Sequence, residues 1–441
     1  MQIFMLKNLF YKPVSVWPLV TFRVVFGLMM LVSTGRFLAL GWVKDHYLDA
    51  KVSFKYYGFE WVQILPEFWM YALHYLMLAA AAGIVLGAFY RLSALVFFLA
   101  FTYVQLIDLS YYLNHYYFVS LVAFLLIWLP ANAHASVDVW LGRTVARTQV
   151  PAWTVNILKF QIAMVYVFAG LAKMNYDWLV LALPLKIWLP AADKIPVLGP
   201  IFKLPITPYI FSWAGMLYDT FIVFLLMYRP TRLLAYAAVL AFHIVVGILF
   251  QIGVFPLVMI GATLIFFSDE WHRRRWSWAA RALQTRNAGA GVANAPVVHY
   301  ALCVYIVFQL LFPLRYLAYG GNVFWHEEGY RFSWRVMLME KAATATFFVK
   351  DTQTGREGVV NNADFLCAHQ EKQMSMQPDL VLQFAHFLKD HYQKHGMKAP
   401  AVRAEVYATL NARPSRLLID PNADLTKIND GWAKKKWVVA N

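Results

Sequence analysis

Charged residues and cysteines are scarce in this sequence. Asp, Glu, Lys and Arg make up 14% of the 441 residues, whereas about a quarter is usual in soluble domains. Cys303 lies in an apolar run and Cys367 in a polar region, and two such cysteines are too few for a disulfide framework or a zinc site. The sequence has no recognisable nucleotide-binding loop, metal motif, or serine or cysteine nucleophile signature. These absences argue against a soluble globular domain, and we expect no metal.

Apolar residues are abundant instead. Hydrophobic residues make up 61% of the chain, which contains 17 Trp, 25 Tyr and 34 Phe. This composition is typical of a polytopic membrane protein. The net charge of +15 would also suit a nucleic-acid-binding protein, but the arginines lie in short clusters beside apolar segments, as they do in cytoplasmic loops. We therefore expect no nucleic-acid partner.

Nine apolar runs are candidates for membrane-spanning helices, since a helix needs about 20 apolar residues to cross a bilayer. The first run is too long for the core of a signal peptide, which is about 7 to 15 residues. The fourth and eighth runs are short. The runs are Trp17–Leu40, Trp69–Leu86, Leu92–Ile107, Tyr117–Leu129, Val155–Lys173, Tyr209–Met227, Leu233–Phe250, Val254–Phe267 and Val297–Leu314.

Lysines and arginines fall in every second connection between these runs. Because cytoplasmic loops are enriched in Lys and Arg, the alternation predicts a cytoplasmic N-terminus and an extracytoplasmic C-terminal tail. It also places Asn114, His115, Lys173 and the turn Gln251–Gly253 near one outer face. The basic residues concerned are Lys7, Lys12, Arg91, Arg143, Arg147, Arg229, Arg232, Arg273, Arg274, Arg275, Arg281 and Arg286.

The stretch Gln161–Trp178, QIAMVYVFAGLAKMNYDW, ends an apolar helix with one amine, Lys173. An ammonium at the edge of hydrocarbon is costly, so such a lysine either extends to water or loses its proton. Burial can bring the pKa of a lysine from about 10 towards neutrality, and a neutral lysine is a general base. Both interpretations stay open from the residues alone. The same helix carries Tyr166, which we count as a cofactor-binding candidate.

Other polar side chains in or beside the apolar runs are candidate partners of this lysine. Arg23 and Asp219 lie within the first and sixth runs, and either can serve the other or the lysine. His243 precedes the outer turn, where a ligand role and a buried structural role are both compatible with the sequence. Asn114 and His115, in LNHYYF, are either site residues or ordinary loop residues.

Ten sequence blocks, spread in one order over nearly the whole chain, carry a family resemblance. They are FRVVFGL from Phe22, HYLDA from His46, YRLSAL from Tyr90, LNHYYF from Leu113, SVDVWL from Ser136, VYVFAGLAKMNYDW from Val165, FHIVVGILFQIGVFP from Phe242, GYRFSW from Gly329, QPDLVLQFAHFL from Gln377 and VRAEVYATLNARPSRLLIDP from Val402. Any one block would be weak, but this many in one order are hard to attribute to chance. Together they resemble the vitamin K-dependent gamma-glutamyl carboxylases and their bacterial relatives, grouped as HTTM-domain proteins.

The resemblance implies roles for individual residues. Lys173 stands at the position of the family's catalytic base, and Asn114 and His115 stand at the asparagine and histidine that assist it near the quinone. His243 falls on a histidine of the family's FH block. Tyr330, in GYRFSW, falls on a tyrosine near the glutamate and quinone pocket.

The resemblance also implies the chemistry. The γ C–H of glutamate is too weak an acid for a side chain to deprotonate, so a cofactor must generate a stronger base. In the family, the neutral lysine takes a proton from reduced vitamin K, O2 adds, and the resulting alkoxide removes the γ hydrogen. The carbanion captures CO2 and the quinone leaves as its epoxide. The implied cofactor is a menaquinol or related quinol, and the implied partners are a glutamate-containing protein or peptide and the lipids and quinone of the membrane.

Three positions depart from the animal members of the family. Ala172 stands where they carry a second lysine, and Val246 stands where the FH block has an asparagine. Arg335 stands where the GYSW block has an acidic residue, so we count it, with Arg23 and Asp219, as a candidate for substrate binding or charge relay. The tail is much shorter than the luminal portion of the animal enzymes, so the resemblance alone does not imply propeptide-directed carboxylation, and propeptide use stays open.

The expected architecture is a polytopic all-α transmembrane bundle of about nine helices, residues 1–321, followed by a small extracytoplasmic α+β domain, residues 322–441. In the tail, FFVKD and EGVV flank a turn at Thr352–Gly355 and predict a hairpin. A helix is predicted over Pro378–His395. Val402–Leu410 alternates as a half-buried strand, and SRLLID is expected to form a second strand.

Two other functions stay open. One is a quinone-binding membrane oxidoreductase that does not fix CO2. The other is a transporter or lipid-binding membrane protein in which Lys173, Asp219 and His243 form a charge relay. We expect the protein in a bacterial inner membrane with site and tail facing the periplasm, or in the ER membrane with both facing the lumen if it is eukaryotic. The sequence indicates neither the oligomeric state nor the protein substrate.

Overall fold

The computed structural model of the chain describes residues 10–196, 199–250, 252–282 and 296–440. The expectations for Lys7, Gln251 and Arg286 lie outside the described residues. Within the described residues, a bundle of long apolar helices is followed by a small sheet domain.

Seven of the described helices are long and apolar enough to cross a membrane. They correspond to the first, second, third, fifth, sixth, seventh and ninth predicted runs. The fourth and eighth runs form shorter apolar helices, Asn114–Trp128 and Phe255–Phe266. A mostly helical membrane bundle is therefore confirmed, whereas the count of nine crossings and their orientation stay predictions.

The helices of the bundle are labelled α1 to α11 in chain order. They are α1 (Trp17–Ala39), α2 (Glu67–Leu86), α3 (Tyr90–Ile107), α4 (Asn114–Trp128), α5 (Ala152–Lys173), α6 (Leu183–Ala191), α7 (Thr207–Met227), α8 (Arg232–Leu249), α9 (Phe255–Ala262), α10 (Asp269–Ala282) and α11 (Pro296–Leu311). Two short strands, β1 (Pro13–Ser15) and β2 (Gln149–Pro151), pair antiparallel.

Helices α5 and α7 approach closely because a glycine lies where they meet. A Cβ at Gly170 would lie 2.4 Å from Thr220 Oγ1 and 2.7 Å from the Thr220 backbone nitrogen. Small residues allow this approach in membrane bundles, where packing rather than the hydrophobic effect holds helices together. The contact brings Lys173, one turn beyond Gly170, against Asp219, the neighbour of Thr220.

The tail folds into a four-stranded antiparallel sheet in the order β4-β3-β5-β6, with two helices packed against it. The residues on the apolar side of β5 are buried, from Val402, which is 0% exposed, to Leu410, which is 1% exposed. Its elements are β3 (Lys341–Asp351), β4 (Glu357–Val359), α12 (Ala368–Met376), α13 (Pro378–Lys394), β5 (Pro400–Leu410) and β6 (Arg416–Leu417).

The predicted hairpin, long helix and long strand of the tail are therefore present. The prediction for SRLLID is wrong in extent, because only Arg416–Leu417 pairs with β5. The helix α12 was not predicted from the sequence.

The tail sits on the connections at one end of the bundle. Gln383 of α13 accepts from the backbone nitrogen of Lys55 at 2.7 Å and donates to its carbonyl oxygen at 2.9 Å. Gln370 of α12 donates to Asp108 Oδ2 at 2.9 Å. The tail and the predicted outer connections therefore lie on the same side of the bundle.

Candidate active site

Lys173 is the last residue of α5 and is only 5% exposed. The chain then turns, and the Asn175 side chain accepts from the backbone nitrogen of Trp178 at 3.0 Å to begin a single helical turn, Tyr176–Leu179. The Lys173 ammonium nitrogen lies 5.4 Å from the centre of the Trp178 ring. The lysine is thus held inside the protein at the end of its helix and does not extend to water.

Asp219 of α7 is the ionic partner of Lys173. Lys173 Nζ donates to Asp219 Oδ2 at 2.7 Å, and the two side chains are 6% and 7% exposed. A longer contact of 3.5 Å joins the same nitrogen to the carbonyl oxygen of Ala169. Because each charge is compensated by the other, the pair can remain in apolar surroundings, where a single unpaired ion would be too costly.

Tyr166 and His243 form a second polar pair close by. The Tyr166 hydroxyl lies 2.8 Å from His243 Nε2. Tyr166 precedes Lys173 by two helical turns and therefore shares its face of α5. Among the described residues, the other ring nitrogen of His243, Nδ1, has no hydrogen-bond partner although it is buried. It is free to bond a ligand.

A cavity of about 400 Å³ joins these two pairs, and we call it the lysine cavity. Its other walls are mostly aliphatic and aromatic. This combination of apolar walls, one ion pair and an unpartnered imidazole nitrogen fits the ring of a lipophilic quinol. The residues that line it include Val165, Tyr166, Ala169, Lys173, Trp178, Leu185, Trp188, Phe211, Tyr218, Asp219, Phe242, His243, Val246, Leu249, Phe250, Phe255, Met259, Val336 and Met337.

Asn114 and His115 line a different cavity of about 430 Å³, which we call the outer cavity. The Asn114 side chain accepts from the Tyr112 hydroxyl at 3.0 Å and donates to the backbone carbonyl of Arg335 at 3.0 Å. The structure thus places Asn114, His115 and Arg335 beside one cavity, and Lys173, Asp219, Tyr166 and His243 beside the other.

A thin wall separates the two cavities. The Phe255 ring lies between two imidazoles, with its centre 5.5 Å from that of His115 and 6.0 Å from that of His243. Val336 and Met337 also line both cavities. Met337 has a φ of 51°, in the left-handed region. Sequence reasoning missed these wall residues, because nothing in their types distinguishes them from core residues.

Tyr330 does not line the lysine cavity. It lines a smaller cavity of about 210 Å³ together with Asn114 and Arg335, and its ring packs edge-on against Phe324 with 6.3 Å between centres. Tyr330 therefore lies beside Asn114 and Arg335 and apart from Lys173, and its role in cofactor binding stays a prediction.

Arg23 lies at the opposite end of the bundle from Lys173. Its guanidinium donates to the carbonyl oxygens of Ala131 at 3.0 Å and Ala135 at 2.7 Å, in the connection after α4. Arg23 therefore pairs with neither Asp219 nor Lys173, although the sequence allowed both pairings. Its hydrogen bonds fix a turn of the backbone instead.

The GYRFSW segment is tied to the tail by Arg331. Its guanidinium donates to Asp379 Oδ2 at 2.5 Å and also to the side chain of Gln377. Burial raises the pKa of the Asp379 carboxyl, but the charge and hydrogen bonds of Arg331, together with Lys435 and the Leu380 amide, outweigh it and leave that pKa below its ordinary value. The pair holds Arg335 and Met337, which follow it, beside the bundle.

Two family models match the chain. Residues 11–271, more than half of the chain, match the HTTM domain. Residues 294–441 match the lumenal domain of vitamin K-dependent gamma-carboxylase. No solved structure matches the chain.

Proposed function

Because the chain belongs to the vitamin K-dependent gamma-glutamyl carboxylase family, we propose that it couples oxidation of a reduced quinone by O2 to addition of CO2 to glutamyl residues. The family predicted from the sequence blocks is confirmed by both matches. The apolar helices and the lumenal-domain match identify an integral membrane protein. The reaction, the site residues and the orientation are our proposal.

The Lys173–Asp219 pair in the lysine cavity is the observation that supports this function. A base for a quinol hydroxyl must lie in an apolar pocket that excludes water and accepts the quinol ring. The mostly apolar walls around Lys173 support this role. When bound, the quinol supplies the chemistry that side chains lack, because its oxidation to the epoxide by O2 provides a base strong enough to remove the glutamyl γ hydrogen.

Lys173 and Asp219 then act as a proton-holding pair. In the arrangement with a 2.7 Å hydrogen bond, transfer of one proton from Lys173 to Asp219 converts two charges into two neutral groups. The neutral amine is the form that accepts a hydroxyl proton. Since the net charge of the pair is zero before and after, this transfer brings no unpaired charge into apolar surroundings.

His243 and Tyr166 orient the ring of the quinol in this proposal. Their mutual hydrogen bond fixes the imidazole, so that its unpartnered Nδ1 faces a ligand in a defined direction. The aromatic and aliphatic walls exclude water, which would otherwise protonate the glutamyl carbanion before CO2 adds.

The partners follow from the same proposal. They are a glutamate-containing protein or peptide, which reaches the site from the side of the tail, and a quinol that arrives through the membrane. The tail and the site would face the periplasm in a bacterial inner membrane.

The test is incorporation of labelled CO2 into a glutamyl peptide by the purified protein with reduced vitamin K and O2, with epoxide measured in the same samples. We expect Lys173→Ala to lose both products by a factor of at least about 100, the usual contribution of a general base. Lys350→Ala is the matched control, because Lys350 is exposed on β3 in the tail.

Equal loss of both products in Lys173→Ala alone would support the carboxylase and its base. Epoxide without carboxylated peptide in the wild-type protein would favour a quinol oxidoreductase. Undiminished activity in Lys173→Ala would refute the role of the lysine.

A further inference from the structure

A further cavity lies where α3, α4 and α11 meet the tail, and we call it the junction cavity. Its volume is about 730 Å³, which is within the range of about 300 to 1,000 Å³ that is usual for ligand sites. It shares no described lining residue with the lysine cavity. The proposed reaction therefore gives this cavity no role.

The junction cavity is apolar towards the bundle and charged towards the tail. On the bundle side its walls include Phe98 of α3, Phe124 of α4 and Phe308 of α11. An amphipathic cavity of this kind suits a molecule that has both an apolar chain and a charged head. The charged residues on the tail side are Glu327, Glu328, Arg331, Asp379, Asp430 and Lys435.

The carboxylates of the tail side are each engaged by a partner within the tail. Their charges are therefore largely compensated without a ligand. The pairs are Arg331–Asp379 at 2.5 Å, Lys435–Asp430 at 3.2 Å and Lys341–Glu327 at 2.7 Å, and Glu328 accepts from the backbone nitrogen of Lys435 at 2.9 Å.

Two other cations that line the junction cavity, Lys55 and Arg315, form no ion pair with a carboxylate in the described part of the chain. Lys55 Nζ donates to two backbone carbonyl oxygens, at 2.6 Å and 3.4 Å. The Arg315 guanidinium also donates to two backbone carbonyl oxygens, that of Phe312 at 3.0 Å and that of Arg331. Because a carbonyl oxygen carries no net charge, both cations can still pair with an anionic group such as a phosphodiester.

A shallow apolar groove on the outer face of α11 continues the junction cavity. Phe308, Phe312 and Arg315 line both. Further along the groove, Val307 is 52% exposed and Leu311 is 62% exposed. Since α11 lies in a segment long and apolar enough to cross a membrane, this groove faces the acyl chains of the bilayer. Arg315 thus lies where a charged cavity opens into an apolar groove.

Exposed aromatic side chains indicate the depth of the junction cavity in the membrane. Tyr57 and Trp432 both line it, are 51% and 61% exposed, and have ring centres 6.0 Å apart. Trp61, in the connection before α2, and Trp69, in the first turns of α2, are 69% and 60% exposed. Tryptophan and tyrosine are enriched at the level of the lipid headgroups. The charged part of the cavity therefore lies at headgroup level and the groove lies beside the hydrocarbon.

We propose that the junction cavity and the groove together bind one glycerophospholipid. Its phosphodiester pairs with Arg315 and Lys55, and an acyl chain lies along α11. A quinol is a poorer match, because its ring carries no formal charge to compensate the two cations. The bound lipid joins α11 to the tail, since Arg331 and its neighbours form the opposite wall of the cavity. The lipid site does not depend on the proposed reaction.

The test is native mass spectrometry of the full-length protein, delipidated in detergent and titrated with lipids that share two oleoyl chains. The lipids are phosphatidylethanolamine, phosphatidylglycerol and diacylglycerol, which has no phosphate. We expect the first molecule of either phospholipid to bind at least about tenfold more tightly than diacylglycerol, because hydrogen bonds to charged groups are the strong ones. Lys55→Gln and Arg315→Gln should each remove most of this difference. Arg356→Gln, at an exposed arginine of the tail, should retain it.

A second variant tests the groove without changing any charge. Val307→Trp places a large ring in the groove and should weaken the binding of both phospholipids. Val297→Trp is the matched control, because Val297 is 77% exposed near the other end of α11. It should bind phospholipid like the wild-type protein.

Lys55 is half-buried and Val307 is exposed, so their variants test the proposal even if Arg315→Gln does not fold. Equal affinity of the wild-type protein for the phospholipids and diacylglycerol would overturn the proposal. Phospholipid affinity that is unchanged in both Lys55→Gln and Val307→Trp would also overturn it. Displacement of the bound phospholipid by one equivalent of a quinol with a polyprenyl tail would assign the cavity to the quinol instead.

Discussion

The Lys173–Asp219 ion pair is buried on both sides, so the two residues depend on each other. Removing one partner of a buried pair leaves an uncompensated charge and costs about 3 to 5 kcal/mol, whereas replacing both with apolar residues is often close to neutral. We therefore expect Asp219→Asn to destabilise the protein by about 3 kcal/mol, and the double variant Lys173→Met with Asp219→Leu to recover most of that loss. Thermal unfolding in detergent measures both.

A surface pair provides the control for this prediction. Lys203 and Asp193 lie 3.1 Å apart, but their side chains are 61% and 37% exposed. Asp193→Asn should cost less than about 1 kcal/mol, because exposed pairs contribute little. A double variant of the buried pair that is no more stable than Asp219→Asn would contradict our account of the pair as mutually dependent.

Lys173 could be identified from the sequence as a candidate, but its ionic partner could not be chosen from the sequence alone. An amine at the end of an apolar run is conspicuous, and Arg23 and Asp219 were both available from hydropathy alone. Packing of α5 against α7 brings Asp219, and not Arg23, to Lys173. Gly170 is the only signal of this packing in the local sequence. Asn114 and His115 lie beside a different cavity from Lys173. The predicted helix spans indicate the depth of a residue in the membrane, but not which residues of other helices lie next to it.

The meeting of α5 and α7 depends on Gly170. A side chain there would meet both the side chain and the backbone of Thr220 at less than 3 Å. Since backbone cannot move aside cheaply, Gly170→Val should push the helices apart, destabilise the protein by about 1 to 3 kcal/mol and abolish activity by separating Lys173 from Asp219. Thermal unfolding and the carboxylation assay report the two effects.

Gly35 on α1 is the matched control. A Cβ at that position would meet only Leu78 Cδ1, at 3.8 Å, which is an ordinary contact. Gly35→Ala should therefore fold and react like the wild-type protein. If Gly170→Val behaves in the same way as Gly35→Ala, close packing at Gly170 does not position the lysine.

Elements with a clear period were predictable, and those without one were not. Apolar and polar residues alternate along β5 because one side of this strand is buried in the core of the tail, and this alternation predicts the strand. Helix α12 has the sequence AHQEKQMSM, which lacks an apolar period, and its position depends on contacts such as that of Gln370 with Asp108. The strand β6 stops after two residues, although SRLLID has strand-like composition.

The tail and the bundle are joined at the turn that follows Lys173. Arg413 Nη1 donates to Asp177 Oδ2 at 2.6 Å, and Asn411 donates to the same oxygen at 2.8 Å. Hydrogen bonds from Arg413 lower the pKa of the Asp177 carboxyl from 3.8, and they outweigh the opposing effect of burial. The turn that follows Lys173 is therefore fixed by the tail as well as by its own helix.

This link makes stability depend on pH in a defined direction. Because the folded-state pKa of Asp177 lies below the unfolded value of 3.8, the link stabilises the protein fully above about pH 4 and is lost as the pH falls through the folded-state pKa. We expect Arg413→Gln to unfold at a lower temperature than the wild-type protein at pH 7 and pH 5, by a similar interval at each. Below pH 4 the unfolding temperatures of the two proteins should converge, since protonation of Asp177 removes the same link.

Arg416→Gln, at an exposed arginine three residues away, is the control and should unfold at the same temperature as the wild-type protein at every pH. An interval between wild-type and Arg413→Gln that persists unchanged at pH 3 would show that Arg413 stabilises the protein by some route other than Asp177, and that the tail does not hold the turn after Lys173 through this carboxylate.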